Sequence, residues 1–145
     1  MFTLFRTLTL IALVSFALHL VWESLHVQLY TGYEHWTLGM PVALLATIGD
    51  VLYTLGAFAL VSGFKGKVAW LQEARRQDYL MLVTLGFFIA LFVEYKGLAL
   101  DRWQYLPDMP IIPLLNVGLS PVIQMALLLP LTFFIVSRVQ KISLK

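Results

Sequence analysis

Five ionisable side chains stand inside apolar runs where hydrocarbon would tolerate them least: His19, Glu23 and His26 in the first run, Asp50 in the second and Glu94 in the third. Placing such a group at the centre of a membrane helix costs roughly 2.5–3.5 kcal/mol on insertion scales, so each is expected to face other protein groups and not lipid. At about 100° per residue, His19, Glu23 and His26 fall within roughly 60° of one helix surface, and Ser15, Trp22 and Tyr30 extend that face. Three carboxyl groups in apolar surroundings cannot all be charged without partners, so protons, a cation or water must accompany them. The chemistry this suits is general acid–base catalysis. Glu23, Glu94 and Asp50 would act as acids or bases, with His19 and His26 orienting or relaying protons. Trp22, Tyr30, Tyr53, Trp103 and Tyr105, together with Gln124, are the candidate substrate-binding residues, and aromatic faces of this kind can steady a developing cation.

Other chemistries fit less well. The chain has no cysteine, which removes thiolate metal sites, disulfides and cysteine nucleophiles. His19, Glu23 and His26, completed by Asp50 or Glu94, form an alternative nitrogen and oxygen metal set. Their His-x3-Glu-x2-His spacing matches no zinc-hydrolase signature, and the sequence names no metal or cofactor. Gly63-Phe-Lys-Gly-Lys67 is too short for a phosphate-cradling loop. The element His19-Leu-Val-Trp-Glu23 resembles the His-x-x-x-Glu of emopamil-binding-type sterol isomerases. That resemblance covers five of the 145 residues. It implies a compact helical bundle that moves a double bond by acid–base chemistry, with proton-transfer roles for His19 and Glu23.

The elements that must position these groups are dictated by composition. With 60% hydrophobic and 12% charged residues, the chain is far more apolar than a soluble domain, which has about 25% charged residues. Four runs, about 4–29, 42–61, 79–100 and 119–139, each supply the roughly 17–25 residues a helix needs to cross a bilayer. Lipid offers no hydrogen-bond partners and the runs lack strand alternation, so helices are required. The expected fold is an all-α, integral-membrane four-helix bundle forming one domain over residues 1–145, in a multi-pass location of the bacterial inner- or plasma-membrane type.

Orientation follows from the basic residues. Arg6, Lys65, Lys67, Arg75, Arg76, Arg138, Lys141 and Lys145 lie on one side, against Lys96 and Arg102 on the other, which predicts both termini in the cytoplasm. This distribution follows membrane flanks and forms no stripe for nucleic acid. The amphipathic stretch Val68–Gln77 suits an interfacial helix, and as a connection it reads as a solvated topology loop in preference to a partner site. The loop Asp101–Ser120, rich in aromatics and prolines, predicts a cap against the outer membrane surface. With Ser120 and Gln124 in the fourth run, all four helices bring polar groups to a similar outer depth. The expected function is binding or acid–base transformation of a lipid or isoprenoid-like molecule. The alternatives are a proton- or cation-coupled transporter, or a non-catalytic subunit working as a homo-oligomer or with a membrane-protein partner. Pro130 would supply a kink for a gate.

Overall fold

A computed structural model describes residues 2–33 and 41–142. Four long helices dominate: α1 (Phe2–His26), α2 (Pro41–Lys65), α3 (Arg76–Ala99) and α4 (Leu119–Ile142). Each is long and apolar enough to cross a membrane. Most of the expected connection Thr31–Met40 lies outside the described residues, as do Met1 and residues 143–145.

The helix ends differ from those read off hydropathy because caps, not apolar residues, define them. α3 begins at Arg76, ahead of its first apolar residue, where the Asp78 carboxylate accepts the Arg75 backbone N–H at 2.8 Å. An acid in a first turn satisfies free N–H groups and complements the helix dipole. α2 runs on to Lys65, whose ammonium pairs with the same Asp78. α4 continues unbroken through Pro130 to Ile142.

The helices assemble as two antiparallel hairpins. α1 packs along α2, α3 packs along α4, and the pairs meet where α1 lies against α4; α2 and α3 scarcely touch. Thr7, Ile11, Ser15, His19 and Glu23 form a buried row on α1 at every fourth residue, the spacing that stacks side chains on one helix face. On α3 the corresponding row is Leu82, Gly86, Ala90 and Glu94. A Cβ on Gly86 would overlap the Met125 backbone carbonyl, so glycine is required for this close approach of α3 to α4, as small residues are at many membrane-helix interfaces.

The distribution of polarity is inverted relative to a soluble bundle. Ser15, His19, Thr47, Thr54, Glu94, Gln124 and Thr132 are buried, while Phe5, Leu13, Leu45, Leu52, Phe88, Phe92 and Leu127 point outward on all four helices. Soluble monomers rarely expose contiguous apolar patches beyond a few hundred Å².

The two ends of the bundle are built differently. At the basic end, which carries the start of α1, the end of α4 and the α2–α3 connection, Phe58, Val61, Trp70, Leu71, Leu82, Leu129 and Phe133 form a closed core. Trp70 stacks on Phe58 with centroids 6.0 Å apart and meets Phe133 at 5.7 Å. Here the expectation of an interfacial helix is corrected. Val68–Glu73 is a 3-10 helix that wedges Trp70 and Leu71 inside the bundle between α2 and α4. Burial of the large indole wins because its N–H still finds a partner, Ser62 Oγ at 3.0 Å.

At the opposite end the α3–α4 loop forms a cap containing a two-residue antiparallel hairpin, β1 (Ile111–Ile112) with β2 (Val117–Gly118). Leu114 and Asn116 adopt left-handed backbone angles in its turn. The cap is pinned to the residues following α1. Tyr30 bridges Tyr105, Thr31 N–H donates to the Gln104 carbonyl at 2.9 Å, and Leu106 N–H donates to the Leu29 carbonyl at 2.9 Å.

Candidate functional site

Beneath this cap the four helices line a cavity of about 340 Å³, within the range of roughly 300–1,000 Å³ typical of small-molecule sites. One wall is a hydrogen-bonded chain of polar groups from α1, α2 and α4. Ser120 Oγ lies 2.9 Å from His26 Nδ1, and His26 Nε2 lies 3.2 Å from Glu23 Oε2. The Gln124 amide then donates to Glu23 Oε1 at 2.8 Å and to Asp50 Oδ2 at 2.9 Å. His19 Nδ1 closes the series 3.1 Å from Asp50 Oδ2.

A count of protons orders this network. The Gln124 nitrogen also lies 3.1 Å from His19 Nδ1, yet an NH₂ group has two hydrogens to give. With both directed to the carboxylates, the His19–Asp50 contact needs a proton of its own, carried by His19 Nδ1 or by the Asp50 carboxyl. His19 Nε2 then points into the packed interior with no partner among the described residues. The imidazole is wholly buried, oriented by its carboxylate as a positioning group is.

The opposite wall carries the third acid. Glu94, on α3, accepts a hydrogen bond from the Tyr105 hydroxyl, which in turn accepts the Gly118 backbone N–H at 3.0 Å. Burial and the hydrogen bond to Glu94 push the Tyr105 phenol above its ordinary range, so it stays protonated and donates. Tyr30 is also held protonated, by burial and by the nearby carboxylates of Glu94 and Glu23. Its ring stands edge-on to His26 at 5.5 Å and to Trp103 at 6.4 Å. Trp103 reaches this position because Gly97 has no side chain; a Cβ there would overlap the indole.

Of the residues expected from sequence, Glu23, His26, Tyr30, Asp50, Tyr53, Glu94, Trp103 and Gln124 line the one cavity. His19 stands behind Asp50 and Gln124, and Tyr105 acts on the site through Glu94; neither lines the space itself. Trp22 does not line it. Arg102 at the cap, Tyr33, Gly49, Pro121 and Met125 line it without having been foreseen. For Arg102 the only sequence signal was its place beside Trp103, and its charge was read for orientation alone. Among the described residues no three His, Asp and Glu side chains converge as a metal-ligand set.

Comparison with protein-family models, curated proteins and solved structures finds no match. The likeness to sterol isomerases therefore remains the five residues His19–Glu23, and what the site does must be argued from its own geometry.

Proposed function

We propose that this chain is a multi-pass membrane protein that binds a lipid or isoprenoid-like molecule in the capped cavity and transforms it by acid–base chemistry. The observation that carries the reading is the placement of two separately hydrogen-bonded carboxyl systems, Glu23–Asp50 with their histidines and Glu94 with Tyr105, around one largely apolar space. Two such systems can give a proton to one atom of a bound molecule and take one from another, as isomerisation or hydrolysis requires. The low dielectric of the site strengthens each contact. Apolar residues facing outward on all four helices favour the membrane setting, and the basic asymmetry favours both termini in the cytoplasm. In that orientation the cavity lies toward the outer leaflet.

Transport is the weaker reading, because the packed core of Phe58, Trp70, Leu129 and Phe133 fills the bundle below the cavity. Intramembrane acids on an ion pathway need a hydrated route on both sides.

The test is to incubate reconstituted protein in D₂O with a lipid extract of its source organism and follow lipid masses. Wild type should introduce deuterium or change the mass of a discrete lipid species. Glu23→Gln and Glu94→Gln, which keep size and hydrogen-bonding capacity while losing a titratable proton, should not, yet should remain folded in detergent. Unchanged activity in the double variant, or no lipid change with wild type, would refute the catalytic reading.

A further inference from the structure

The cavity is closed on three sides by packed helix pairs, α1 with α2, α1 with α4 and α3 with α4. The fourth side, between α2 and α3, is different. These helices are tied at the basic end by Lys65 and Asp78 and otherwise scarcely touch, yet both contribute walls to the cavity. Val42, Ala46, Gly49 and Tyr53 come from α2, with Ala90 and Val93 from α3.

The spacing on α2 separates two faces. Ala43, Thr47 and Thr54 form the buried face, and Ser15 of α1 donates to Thr54 at 3.2 Å. Val42, Ala46 and Gly49 lie one position earlier or two later, on the neighbouring face turned to the cavity. Gly49 is informative because a Cβ built there meets nothing within 4 Å. Unlike Gly86 and Gly97, it is not small because a neighbour in this chain presses on it. The flanking surfaces are apolar and exposed, Leu45, Ile48 and Leu52 on α2 and Phe88 and Phe92 on α3, so hydrocarbon character continues from the outside of the bundle toward the cavity.

We propose that the α2–α3 side is a lateral portal through which one hydrocarbon chain of a membrane lipid reaches the polar groups. This rests on the membrane setting proposed above and deepens it by naming the substrate's route and form. A cavity of about 340 Å³ accommodates part of a single chain and not an entire two-chain lipid. The apolar rims favour that chain over a hydrated ion or a water-soluble substrate. Arg102, at the cap, supplies a cation where an anionic headgroup would rest.

The experiment uses the full chain in phosphatidylcholine vesicles in which one acyl chain carries a mid-chain diazirine. After photolysis, adducts are mapped by proteolysis and mass spectrometry. Val27 and Met125 are nearly inaccessible and belong to the far walls, in the turn after α1 and in α4, so only a chain that has entered labels them. Leu52 and Phe92, exposed on the outer surface, report ordinary lipid contact. Wild type should be labelled at all four positions. Gly49→Phe should remove most of the Val27 and Met125 adducts while sparing Leu52 and Phe92, and Ala46→Phe provides the same block should Gly49→Phe fail to fold. Glu23→Gln should retain the full pattern whatever it does to deuterium uptake, which separates the portal from the catalytic reading. Adducts confined to Leu52 and Phe92 in wild type, or unchanged adducts at Val27 and Met125 in both Phe variants, would overturn the portal. So would a disulfide-linked dimer of an Ala46→Cys variant, formed under mild oxidation in this cysteine-free chain, which would assign the gap to a second copy.

Discussion

Gln124→Leu is the most discriminating test of the polar network, because one amide serves two carboxylates on two other helices. Its bonds to Glu23 on α1 and Asp50 on α2, at 2.8 and 2.9 Å, are both lost, whereas leucine keeps similar bulk. Interhelical hydrogen bonds in membrane proteins contribute about 0.6 kcal/mol on average and up to about 1.7 kcal/mol, so two predict a loss of roughly 1–3 kcal/mol. Leaving buried acceptors unsatisfied pushes toward the upper end. Gln140→Leu is the matched control. It is equally buried on α4 and also reaches α1, but its amide makes one such bond, to Thr7 Oγ1 at 2.6 Å, predicting about half the loss. Both are measured by reversible unfolding in mixed micelles of rising SDS fraction, followed by circular dichroism. A Gln124→Leu loss no larger than that of Gln140→Leu would refute the assignment of Gln124 as the shared donor.

Further outcomes follow from single contacts. Gly86→Ala should destabilise the bundle by about 1–3 kcal/mol through overpacking against α4, whereas Gly49→Ala, with open space around it, should be neutral or gain up to about 1 kcal/mol from helix propensity; the same unfolding assay compares them. Tyr105→Phe removes both the donor to Glu94 and the acceptor of the Gly118 N–H, so stability should fall by about 1 kcal/mol for each bond and amide exchange at Gly118 should accelerate. A reporter fused after Lys145 should read cytoplasmic and one inserted near Thr37 external; both on one side, or the reverse, would overturn the orientation.

Much of the helical framework was legible, because the length of an apolar run and the physics of unsatisfied backbone groups leave few alternatives. The clustering of His19, Glu23 and His26 was legible too, since their angular spacing is intrinsic to one helix. Which edge of that stripe faces a cavity depends on neighbouring helices, and here the single-helix argument misplaced Trp22. It lies about 60° to one side of His19, whereas Glu23, which lines the cavity, lies about 40° to the other. Arg102 and Trp103 are positioned by the loop after α3, where Asp101 takes a left-handed conformation. No hydrophobic period encodes that geometry. Val68–Glu73 was misread for a related reason, since an amphipathic pattern records which residues are apolar but not whether they meet lipid or a wedge between helices.

The two-hairpin construction has a consequence for biogenesis. His19 and Asp50 belong to the first hairpin, while Gln124 and Ser120 belong to the second. The chain emerging during synthesis can form the first pair as soon as α2 is inserted, but Glu23 gains its Gln124 donor and His26 its Ser120 partner only when α4 docks on α1. The hydrogen-bonded polar cluster is thus the last thing the molecule completes, and fragments divided in the segment between α2 and α3 should recover it by co-assembly, with α1 against α4 as the recognition surface.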